Sequence, residues 1–89
     1  MEKINIRTDR RVDLIDITDK VQAIVSKSKI KQGICFLFCP HTTAGLTINE
    51  NADPQVKRDI INALNKLVPE NAGYAHAEGN ADSHIKSSL

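Results

Sequence analysis

The chain has 89 residues and carries 12 Lys and Arg against 11 Asp and Glu, a formal net charge of +1. A chain this short holds at most one domain with a thin core. Its scattered charges and its three aromatic residues, Phe36, Phe38 and Tyr74, give no electrostatic footprint or stacking platform for nucleic acid, and no apolar run approaches the roughly 18 residues of a membrane-spanning helix.

From the N-terminus, Lys3 to Thr8 alternates, with Ile4 and Ile6 on one side and Asn5 and Arg7 on the other, which is the period of a half-buried strand. Asp9-Arg10-Arg11 reads as a turn, and Val12 to Ile17 as a second strand closing a hairpin. Thr18 is a good N-cap, and Val21, Ile24, Val25 and Ser28 share one helical stripe, so a helix is predicted over 19–28. After Gly33, the run Ile34-Cys35-Phe36-Leu37-Phe38-Cys39 is rich in strand formers and reads as a central strand buried on both faces. Pro40 ends it, His41 to Gly45 forms a polar connection, and Leu46 to Asn49 is a shorter strand.

Asp53-Pro54 signals a helix start, an N-cap followed by proline at the first helical position. Val56, Ile60, Ile61, Leu64 and Leu67 then form one amphipathic face, which Pro69 terminates. Residues 70–82 contain no aliphatic side chain larger than alanine and read as a loop; for 83–89 a short helix, in which His84, Ser87 and Ser88 share a face, competes closely with a strand, which would align His84, Lys86 and Ser88, and the helix is preferred. The expected architecture is one α+β domain over residues 1–89, a mainly antiparallel sheet with two principal helices. So few strands leave a sheet edge unpaired, and sheet partners are expected from further sequence, another chain or neighbouring subunits.

The two cysteines, Cys35 and Cys39, would lie about 13 Å apart in an extended strand, too far to bridge. With no signal peptide at the N-terminus, they read as buried thiols of a cytoplasmic protein.

Several segments carry chemistry. His41-Thr42-Thr43 sits at the end of the expected central strand, where imidazole can act as ligand, base or acid and hydroxyls can donate to oxyanions. A loop histidine beside turn-forming threonines is the alternative. Thr47 to Asn51, followed by Asp53, offers Glu50 for a cation or for orienting a histidine, and reads equally as a solvated turn ahead of an N-cap. In His76-Ala77-Glu78-Gly79-Asn80-Ala81-Asp82-Ser83-His84, two imidazoles and two carboxylates alternate with small residues. These groups can supply ligands for zinc, manganese or iron, although the spacing matches no closed structural-zinc pattern and a solvated loop competes. Lys86-Ser87-Ser88 adds a cation and two hydroxyls suited to phosphate.

Two of these segments, HTTAGLTINENADP (41–54) and GNADSHIKSS (79–88), resemble the hallmark segments of the YjbQ-like family, in the same order and joined by the same helix. The resemblance runs along essentially the whole chain and corresponds to the front two-thirds of the family's domain. Family members continue with further strands and a Gly-Thr-Trp-Gln signature, which has no counterpart here. The resemblance implies an α+β homotrimer with a polar site near subunit boundaries and a secondary thiamine-phosphate synthase activity. That reaction joins a pyrimidine diphosphate to a thiazole phosphate with release of pyrophosphate. Carried onto this chain, it implies His41, His76 and His84 around a divalent metal ion such as zinc, magnesium or manganese. It further implies His41, His84 and Asp82 as catalytic groups, with Thr42, Thr43, Glu50, Lys86, Ser87 and Ser88 contacting a small phosphorylated metabolite. A metal-dependent phosphatase and a non-catalytic metabolite- or metal-binding domain are the competing readings of the same residues.

Overall fold

The computed structural model describes residues 1–89 and contains three helices: α1 over Thr18–Ser28, α2 over Pro54–Leu67 and α3 over Ala81–Ser87. The residues gather into two compact units, Met1–Leu37 and Phe38–Leu89.

In the first unit, α1 begins one residue earlier than its stripe predicts. Ile17 occupies the cap position without a side-chain bond, and the Asp16 carboxylate accepts from the Thr18 N–H at 2.9 Å. The helix ends at Lys29, whose φ of 60° is left-handed. Val21, Ile24 and Val25 are half-buried along one face. In the second unit, α2 starts where Asp53-Pro54 places it. The Asp53 carboxylate accepts from the Gln55 N–H at 2.9 Å and satisfies one of the donors that the first turn leaves open. Val56, Ile60, Ile61 and Leu64 are half-buried on its apolar face, as the periodicity requires, whereas Leu67 at the end of the expected face is 75% exposed. Helix α3 starts two residues before the predicted boundary and includes Asp82.

The expected α+β fold with an antiparallel sheet is overturned, because the chain contains no β-strand. Residues 3–8, 12–17, 34–39 and 46–49 do not pair into any ladder. The central-strand segment in particular is not buried: Ile34 is 81% exposed, Phe36 89% and Phe38 84%, and Ile48 in the shorter segment is 99% exposed. Cys35 is exposed and Cys39 half-buried, so the expected pair of buried thiols is not formed. The physical reason is that a strand is completed by hydrogen bonds to another backbone, and alternation or apolarity in one segment cannot supply that partner. Helices complete their bonds within the segment, and all three predicted helices are present.

The buried residues are Val68, just after α2, and Ala81 and Asp82, at the start of α3. The most protected part of the second unit therefore lies at the two ends of the loop that joins α2 to α3, the loop and helix that carry His76 and His84.

Candidate functional site

The loop after α2 is shaped by local bonds before any site chemistry enters. The Tyr74 hydroxyl donates to the Pro69 carbonyl at 2.6 Å, closing the first half of the loop. Gly79 then takes a φ of 79°, in the left-handed region where a side chain is strained, and turns the chain into α3. The Asn80 carbonyl accepts from the N–H groups of Ser83 at 3.0 Å and His84 at 3.4 Å, which places His84 one turn above Asn80.

This path brings His76 and His84 together. Their ring centres are 5.2 Å apart with the planes at 83°, an edge-to-face arrangement. With Ala81 and Ile85 they line an open cleft of about 300 Å³. Glu78 Oε2 stands 3.8 Å from His76 Nε2, within ion-pair range but too far for a hydrogen bond.

Asp82, half a turn before His84 in α3, has no exposed surface. Lys86, one turn later, donates from Nζ to Asp82 Oδ2 at 3.2 Å and to Asn65 Oδ1 of α2 at 2.8 Å. The acid-before-base order at i and i+4 suits a helix, and the side chains are 0% and 10% exposed, so water screens the pair little. Asn65, which the sequence does not single out, thereby ties α2 to α3 through the lysine. No spacing rule reveals such a contact, because the two residues are 21 positions apart.

The hydroxyls after Lys86 are also engaged. Ser87 Oγ approaches the Thr42 carbonyl at 2.7 Å and the His84 carbonyl at 3.0 Å, and Ser88 Oγ donates to the His84 carbonyl at 2.9 Å. A hydroxyl has one proton to give, so these serines brace α3 and the 41–44 turn rather than present free donors to a phosphate. Gly45 completes that brace, since a β-carbon there would lie 2.8 Å from the Ser87 carbonyl oxygen.

The remaining expected site residues are placed differently. His41 lies in an exposed turn closed by the Ala44 N–H on its own carbonyl at 3.3 Å. Thr42 and Thr43 share that exposed turn, and Thr42 contributes its carbonyl to Ser87. Glu50 is exposed, its N–H donating to Asn49 Oδ1 at 2.8 Å. No group of three or more His, Cys, Asp and Glu side chains is assembled that could hold a metal ion. Of the three expected imidazoles, one chain brings two together. The 5.2 Å between their ring centres equals the separation of two imidazoles on one divalent ion, and equally that of an ordinary edge-to-face contact.

The family described as UPF0047 protein YjbQ-like matches residues 2–89. The chain belongs to this family. It is 56% identical over 87 residues to UPF0047 protein MJ1081 of Methanocaldococcus jannaschii, covering 98% of this chain and 63% of that protein. It is 44% identical to UPF0047 protein YugU of Bacillus subtilis, covering 99% and 67% respectively. An uncharacterized conserved YjbQ/UPF0047 protein of Clostridium acetobutylicum superposes with a TM-score of 0.82 at 55% identity, over 84% of this chain and 58% of that one. A conserved hypothetical protein of Thermus thermophilus superposes at 0.76 with 43% identity and the same coverages. The YjbQ-like chain thus spans about two-thirds or less of the lengths of these relatives.

The expected thiamine-phosphate synthase activity is overturned by these matches. It rested on the family likeness, and the relatives carry the UPF0047 designation without an activity, the family being one of unknown function. No helix is long and apolar enough to cross a membrane.

Proposed function

We propose that this YjbQ-like chain binds a divalent metal ion between His76 and His84 and, beside it, a small phosphorylated metabolite. The observation that supports the reading is the 5.2 Å separation of the two rings across an open cleft. An edge-to-face contact alone also fits that distance. The buried Asp82–Lys86 pair favours the binding reading, because it holds His84 on a helix turn that cannot drift. A bound divalent ion supplies Lewis-acid polarisation of a phosphoryl oxygen. The chain's own contribution is orientation: α3 fixes His84, the Gly79 turn aims the loop, and Ile85 gives the cleft an apolar wall. Lys86, nearly buried and not among the residues that line the cleft, braces α3 through its bonds to Asn65 and Asp82.

Titration of the 89-residue chain with Co²⁺, followed by calorimetry and visible absorption, tests the proposal. One ion per cleft is expected, with affinity falling at least about tenfold in His76→Ala and in His84→Ala. Inorganic phosphate is expected to perturb the Co²⁺ spectrum of the wild type. An unchanged isotherm in both histidine variants would end the reading.

A second reading concerns assembly. The exposure of Ile34, Phe36 and Phe38 favours association of copies, for which the homotrimer implied by the family likeness is the proposed form. Sedimentation equilibrium of the wild type against Phe36→Lys tests it, and a monomer at all concentrations would remove it.

A further inference from the structure

We draw no further inference here: the strongest candidate, the exposed apolar run carrying Ile34, Phe36 and Phe38 between α1 and the 41–44 turn, belongs to the assembly reading already given, and nothing in the structure shows what else covers it.

Discussion

In α3 a carboxylate is wholly buried and the ammonium bound to it nearly so, while in residues 34–38 Ile34, Phe36 and Phe38 stand almost fully exposed. Composition alone predicts the reverse. The difference follows from where each segment finds its partners. Asp82 and Lys86 meet within one helical turn, Asn65 lies on the preceding helix, and Ser87 reaches the turn just before Gly45, all inside the second compact unit. The 34–38 run needs a second backbone alongside it, and the chain does not provide one. Polar groups that satisfy each other locally can be buried in a small unit, whereas apolar strand formers without a ladder stay at the surface.

The strongest way to break this comparison is Asp82→Ala. It leaves the Lys86 ammonium in a site that excludes water, and removal of one partner from a buried pair costs about 3–5 kcal/mol. Loss of hydrogen-exchange protection throughout α3 is expected. Retained protection would mean that the polar pair contributes little to holding the helix.

Gly45→Ala is expected to cost about 1–3 kcal/mol, since its β-carbon would press on the Ser87 carbonyl, a backbone atom that cannot move aside alone. Urea denaturation monitored by far-UV circular dichroism measures it. A neutral result would show that the contact between the 41–45 turn and α3 is loose.

Asp53→Ala removes the cap of α2 and should lower stability by about 1 kcal/mol. Asp53→Asn should recover most of the loss in the same denaturation series, because the amide oxygen still accepts from the Gln55 N–H.

At concentrations low enough to keep the chain a monomer, the smallest effect is expected from Phe36→Lys, within about 0.5 kcal/mol of wild type for a side chain that touches so little of its own chain. The midpoint should also be independent of protein concentration in this variant. A loss of several kcal/mol, or a wild-type midpoint that rises with concentration while the variant's does not, would show that the apolar run is covered by another copy.

The sequence by itself determined α1 and α2, through the Val21–Val25 stripe, the Asp53-Pro54 start and the Val56–Leu64 face, and favoured a helix over a strand for the segment that carries His84. Their hydrogen bonds close within four residues, so local spacing contains the information. It also showed that two imidazoles among small residues at 76–84 can converge where a glycine turns the chain, and the ring centres of His76 and His84 do stand 5.2 Å apart. Which imidazoles meet, that Asp82 is buried against Lys86 and that Asn65 and Thr42 receive α3's donors were decided only in three dimensions. So was the failure of the apolar runs to form a sheet. A strand and a binding site are both completed by groups far away in the chain, and no pattern within one segment records whether those groups arrive.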